Sequence, residues 1–347
     1  MKLGLAIGYS GAQMDLPVAL VQRAEELGYD SVWSAEAYGS DAITPLTFLA
    51  AKTSRIKLGT GIMQLAARTP ANAAMSAASI DAMAGGGRFI AGLGVSGPQI
   101  VEGWYGQPWG RPYYRVKDYV AIMRKIFKRE GPVTHEGREI SLPYKGEGSA
   151  GLAKPLKSIL HMNPDIPIYL ATGGETMVKL TAEIADGWLP LFYMPEKAGD
   201  IFGPALAAGA AKRDPSLGPL EICAGGSVAI GELKDVAHMR DFARPFIALY
   251  VGGMGARGHN FYNTLVQRYG FEAEAKVIQD LYLDGKKKEA EAAVPQELLE
   301  LTSLIGPEGY IKERLAAYKE SGVTLLNIAP LQHDQADIVA KIRDWAA

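Results

Sequence analysis

Eight times along the chain a short apolar run is followed by a polar loop and an amphipathic segment, and this alternation limits the fold more than any other feature. The runs are KLGLAIG (Lys2–Gly8), DSVWSAE (Asp30–Glu36), RIKLGTGIM (Arg55–Met63), RFIAGLG (Arg88–Gly94), IPIYLAT (Ile166–Thr172), DGWLPLF (Asp186–Phe192), LEICAGGSVAIG (Leu220–Gly231) and VTLLNIAP (Val323–Pro330). They are near-continuous in Val, Ile, Leu, Ala and Gly, as parallel strands buried on both faces should be. After the first run, Leu20, Val21, Ala24 and Leu27 fall on one face of a helix that Asp15 can cap and Gly28 ends. Further helices are expected over Ile43–Thr53, Pro70–Met83, Tyr113–Phe127, Glu196–Arg213, Pro307–Gly322 and Ala336–Trp345, with another ending at Ile184. Eight such units favour a closed (β/α)8 TIM barrel over an open sheet. A barrel of this kind needs about 250 residues. The 347 residues here therefore predict one domain, 1–347, with insertions near 131–163 and 252–305. The first is rich in Gly, Pro and Lys and suggests a short hairpin. The second belongs to a helical block from Leu233 to Leu301, broken by glycines at Gly252–Gly258.

Several function classes drop out. A net charge of −2 gives no basic excess for nucleic acid or an anionic membrane. No apolar run approaches the ~20 residues that span a bilayer, and MKLGLAIGYSG reads as a first strand rather than a signal peptide. The lone Cys223 excludes an internal disulfide framework, fits a reducing, cytoplasmic setting, and reads as an inert buried thiol. His135, His161, His238, His259 and His333 never take the spacing of a helical metal pair, so no metal site is expected.

In a barrel, chemistry sits at the C-terminal ends of the strands, and four of these ends are informative. VWSAEAYGSD places the ionisable Glu36 there, followed by Tyr38 and Asp41; the alternative for Glu36 is a cap or a salt bridge. LGTGIMQLAARTP puts Gly59 and Gly61 where a bulge or a close backbone approach to a ligand is expected. Gln64 and Arg68 follow, able to bond ring or side-chain oxygens, or else lying at a plain barrel corner. GLGVSG has Gly92, Gly94 and Gly97 in G-x-G-x-x-G spacing, but no second strand ending in an acid follows, so a nicotinamide fingerprint is poorly supported. Gly94, Val95, Ser96 and Gly97 can still offer amides and a hydroxyl to a phosphate, or form only a tight turn. ATGGETMVKL runs from a strand into a helix, and Thr172, Gly173, Gly174, Glu175 and Thr176 surround unpaired N-terminal amides suited to an anion. There Glu175 itself can supply the negative charge instead. VGGMGARGHNFYN (Val251–Asn263), with Arg257 and His259, reads equally as a substrate-contacting lid or a linker, and Lys286–Lys288 as a solvated helix face.

Together EELGYDSVWSAEAYG, LGTGIMQLAARTPANAA, RFIAGLGVSGPQIVEGWYG, IPIYLATGGETMVKLTAEIADGW and GPEGYIKERLAAYKESGV resemble the luciferase-like flavin family, in particular its branch that uses the deazaflavin coenzyme F420. The resemblance spans nearly the whole chain. It implies an oxidoreductase that exchanges hydride with a small organic substrate, and a homodimer. It implies a non-prolyl cis peptide at Gly61–Ile62 behind the ring, with the loops Gly94–Gly97 and Thr172–Thr176 at the cofactor's phosphate tail. Relatives often end strand two in an acid–His pair. Here Glu36 keeps the acid and Ala37 stands in place of the His, which leaves Tyr38, Tyr9, His259 or water as the proton donor. Substrate is expected beside Trp104, Tyr105 and Trp109. Two other readings stay open: an FMN-dependent monooxygenase of the same fold, and a non-catalytic F420-binding carrier.

Overall fold

A computed structural model describes residues 1–346. Eight parallel strands close on themselves: β1 (Lys2–Gly8), β2 (Ser31–Ser34), β3 (Lys57–Thr60), β4 (Phe89–Gly94), β5 (Ile168–Ala171), β6 (Gly187–Trp188), β7 (Glu221–Ile230) and β8 (Leu325–Pro330). Each pairs with the next, β6 pairs with β7, and β8 returns to both β7 and β1, so no barrel edge is left open. This is the (β/α)8 barrel that the eightfold alternation predicts.

The strands are shorter than the apolar runs, for local reasons. The third run stops at Thr60 and resumes as the two-residue strand Met63–Gln64, with Gly61 and Ile62 in a turn between them. The sixth run pairs only at Gly187–Trp188; Pro190 has no N–H to give a ladder, and Phe192 turns to φ +55°. The first helix, Val18–Glu26, starts after Pro17 with no side-chain cap, so Asp15 does not cap it as expected; Gly28, at φ +79°, does end it. Residues 131–163 form the expected excursion, with a small antiparallel hairpin pairing His135–Glu136 with Ser141–Leu142. The helical block after β7 is a string of short pieces rather than long helices. One is a π-helical turn, Leu249–Gly253, where the glycine break was expected. Among the described residues no helix is long and apolar enough to cross a membrane.

The barrel interior is plugged below its mouth. Trp33, Ile90, Tyr169, Cys223 and Leu325 form one buried cluster, with the Trp33 and Tyr169 ring centroids 5.6 Å apart. Such large rings fit only because neighbouring strands withdraw their side chains: a Cβ on Gly59, paired with Trp33 across β2 and β3, would lie 2.5 Å from the Trp33 ring. Cys223 sits in this plug, and burial pushes its thiol well above the ordinary range, which suits the inert role. Higher up, a Cβ on Gly92 would meet the Thr60 carbonyl oxygen at 1.7 Å. Backbone cannot retreat there, because the Thr60 hydroxyl also bridges the Gly92 amide and carbonyl at 2.8 Å each. Gly92→Ala is therefore expected to destabilise the barrel by about 3 kcal/mol or more. Chemical denaturation tests it, and a change under 1 kcal/mol would contradict this account of the packing.

Candidate functional site

Above the plug, the ends of β2 and β3 are locked together by one carboxylate. The Glu36 side chain is only 2 % exposed and accepts four hydrogen bonds. Two come from the Arg68 guanidinium, Nη1 at 2.8 Å and Nη2 at 2.7 Å; the others come from the amides of Gln64 and Ala42, both at 3.1 Å. Gln64 Nε2 donates back to the Glu36 carbonyl at 3.0 Å. Burial works against the Arg68 charge, but the Glu36 carboxylate outweighs it, and the guanidinium is held more basic than usual. Tyr119 fixes the other side by donating to the Arg68 carbonyl at 3.1 Å. Glu36 and Arg68 are thus each other's partners, and the pair anchors the turn carrying Gly61 and Ile62.

That turn is the floor of the mouth. The Gly61–Ile62 peptide is cis. Gly61 is exposed, and a Cβ placed there would find its nearest neighbour, the Trp33 ring, at 3.7 Å. Ile62 lies against Gly94, whose Cβ would come 2.8 Å from the Ile62 side chain. Beside this floor Gln64 Oε1 is buried without a hydrogen-bond partner.

Two loops flank the floor. After β4, Val95 packs on the core and Ser96 takes φ +59°, while a Cβ on Gly97 would lie 2.8 Å from the Met254 methyl. After β5, Gly173 and Gly174 lie under the Phe261 ring, which a Gly173 Cβ would meet at 1.9 Å. The G-x-G-x-x-G spacing thus has a packing cause at each position: Thr60, Ile62 and Met254. Thr172 turns its hydroxyl back onto Thr181, 2.6 Å away, rather than to the helix start, while Glu175 and Thr176 are exposed on the first turn. That helix, Glu175–Ile184, has no side-chain cap, so its first amides are available. Tyr38 and Trp104 are largely exposed, and Tyr105 is half-buried near Glu36 and Arg68. His259 is exposed on a turn bridged to Ala256, with its Nδ1 3.3 Å from the Arg257 carbonyl oxygen.

The sequence profile of the luciferase-like monooxygenase family matches residues 4–325. The chain belongs to this family. A Mycobacterium tuberculosis protein, provisionally named a coenzyme F420-dependent oxidoreductase, is 43 % identical over all of this chain and 98 % of its own length. A 5,10-methylenetetrahydromethanopterin reductase of Archaeoglobus fulgidus is 28 % identical over 88 % of this chain and 86 % of its own. Among solved structures, the coenzyme F420-dependent tetrahydromethanopterin reductase of Methanopyrus kandleri superposes with a TM-score of 0.77 at 22 % identity, covering 99 % of this chain and 97 % of that one.

In this luciferase-like chain the insertion after β7 joins Asn260 and Tyr262 of the expected Val251–Asn263 segment to Phe246 and Tyr250, which sequence reading missed. Phe192, after β6, meets Phe246, Tyr250 and Tyr262 at ring-centroid distances of 5.6, 5.7 and 5.9 Å. Asn260 holds the π-helical turn by donating to the Tyr250 and Val251 carbonyls, and Gln99 Nε2 donates to the Gly253 carbonyl at 2.8 Å. The one available signal was the i, i+4 pairing of Phe246 with Tyr250.

Proposed function

We propose that the chain is a coenzyme F420-dependent oxidoreductase that moves hydride between the deazaflavin and a small organic substrate. The observation that carries this reading is the open backbone floor at Gly61–Ile62 beside the unpartnered Gln64 Oε1. A planar ring fits over a floor that has no side chain at Gly61, and a ring N–H would satisfy the buried acceptor. The near-full-length relative named for F420 supports the choice of cofactor. Bound there, the deazaflavin supplies a carbon that gives or takes hydride. Gly61 and Ile62 would carry the ring, with Glu36 and Arg68 as positioning residues that hold this turn. Ser96, Gly97 and the free amides at Glu175 and Thr176 would face the phosphate tail. The insertion excludes water above β4 to β6. Tyr9 and Tyr38, which follow β1 and β2, would be the groups that move a proton.

Titrating the purified protein with coenzyme F420 and with FMN, followed by the absorbance of each, tests the reading. Tighter F420 binding by at least about tenfold is expected. Tight FMN with weak F420 would establish the FMN-dependent alternative, and tight F420 without turnover on any carbonyl, alcohol or activated alkene would favour the carrier.

We further propose that the chain pairs with a second copy through the outer faces of the helices Ile43–Ala50 and Pro70–Met83. Phe48, Met75 and Met83 are 51 %, 58 % and 63 % exposed on these adjacent helices. The other outward residues, Thr44, Asn72, Ser79 and Ala82, carry no charge. Charge-depleted apolar faces of this kind are typical of subunit contacts. Light scattering should give a dimer that Met75→Glu converts to a monomer; a monomeric parent, or a variant that stays dimeric, refutes the interface. The lone buried cysteine supports a reducing compartment, the cytoplasm.

A further inference from the structure

Phe192 follows β6, which the strand order sets across the barrel from β2, and it belongs to an aromatic wall, a cluster with no charged member. Phe192 anchors it from a left-handed backbone conformation that a bulky residue keeps only where its surroundings enforce it. They do: three rings meet Phe192 edge-on, and Tyr269 donates to its carbonyl at 2.7 Å. Tyr250, in that wall, has its phenol pushed up to about 12 by burial, with the Tyr9 and Tyr38 phenols next in influence. Those two stand on the opposite rim, where Tyr9 packs on Gly39 and the Ser10 amide bonds Ser40 Oγ at 3.0 Å. The loops of this side carry no cation, and Lys287 of the insertion is stacked over the Tyr282 ring at 5.6 Å. Residues 9–16, 35–42 and 189–194, which follow β1, β2 and β6, contain no Lys or Arg. Arg68 is tied to Glu36, and Arg257 on the insertion is turned to Asp280 and Asp284.

A phosphate or carboxylate entering this space would lose its hydration and find no counter-ion on the loops after β1, β2 and β6. A flat, uncharged molecule would gain edge-to-face contact with Phe192 and Tyr250, and phenol hydrogen bonds from Tyr9 and Tyr38 to a carbonyl or hydroxyl oxygen. We propose that the substrate is an uncharged compound with a planar ring system, and that Phe192 is a specificity-determining residue for it. The proposal rests on the F420 reading for what lies on the opposite side of the substrate.

A matched pair of probes tests it: 2-acetylnaphthalene, neutral, and 2-naphthoate, its charged counterpart. Each is titrated into F420-loaded protein, with loading confirmed by cofactor absorbance, and binding is followed by quenching of cofactor fluorescence. The ketone is expected to bind at least about tenfold more tightly than the carboxylate. Phe192→Ala should weaken the ketone by a similar factor while F420 affinity stays within about twofold. Should Phe192→Ala fail to fold, Phe246→Leu, at a partly exposed ring of the same wall, must weaken the ketone alone. Equal or tighter naphthoate binding, no ketone binding, or a wall variant without effect overturns the proposal. Failure to load F420 would sink the cofactor reading alone. The same probe pair titrated into the unloaded chain, read by tryptophan fluorescence, then decides this proposal by the same criterion.

Discussion

Glu36→Ala should lower the unfolding free energy by about 3–5 kcal/mol, a cost that a solvated acid at a strand end would not carry. The substitution leaves the Arg68 guanidinium, whose side chain is 14 % exposed, with only the Asp41 carboxylate 3.9 Å away, and frees the amides of Gln64 and Ala42. Removing one member of a buried ion pair costs more than the pair contributes, because the remaining charge stays desolvated. Urea denaturation of the parent and the variant measures the difference. Glu36→Gln with Arg68→Gln replaces the pair by neutral amides of similar size and should recover about half of the loss or more. A loss below about 1 kcal/mol in Glu36→Ala would show that the carboxylate does not clamp the two strand ends. F420 binding gives a second readout: the turn at Gly61 and Ile62 hangs from Gln64, so affinity should fall with stability.

Gly61→Val makes the opposite split. A Cβ at this position meets nothing closer than 3.7 Å, and Gly61 is absent from the positive-φ glycines, so the barrel can accept a side chain there. The valine methyls would fill the space over the floor where the ring is placed. F420 affinity is expected to fall by at least about a hundredfold, or about 2.7 kcal/mol, while the unfolding midpoint stays near that of the parent. Retained affinity would move the ring elsewhere. The contrast with Gly92→Ala is instructive: both glycines lie on the β3–β4 side of the mouth, but one faces the Thr60 carbonyl and the other open space.

Much of the barrel was legible because its signal is local and repeated. Each parallel strand is buried on both faces, so its apolar run stands out without knowledge of neighbours, and each helix repeats the contrast. Boundaries were less visible where a backbone event interrupts a run without changing its composition. RIKLGTGIM stays free of charge from Leu58 to Met63, yet the ladder breaks at Gly61–Ile62; DGWLPLF is apolar from Gly187 to Phe192, yet it leaves the sheet after Trp188. The start of the first helix was misread for a related reason. Asp15 has the right chemistry for a cap, but Pro17 already fixes the backbone entering the helix.

The site divides the same way. Glycines at strand ends pointed to the face of the barrel that carries the candidate site, and the salt-bridge alternative for Glu36 was visible, though its partner was not. Arg68 lies 32 residues away, and nothing in the residue types links the two before the strands are set side by side. The aromatic wall is still less local, because it joins Phe192 to an insertion about sixty residues later in the chain.

The two glycine contacts made by that insertion bear on how such chains can diverge. Met254 occupies the place of a Cβ on Gly97, and Phe261 that of one on Gly173. A relative that replaces the segment around 254–261 therefore frees space at both loops, and one that acquires a side chain at 173 must shorten residue 261, whereas at 97 the flexible end of residue 254 can also move aside. Position 173 with 261, and more loosely 97 with the flexible end of 254, are expected to change in pairs, so exchange of this segment between relatives should be better tolerated when the matching loop residues travel with it.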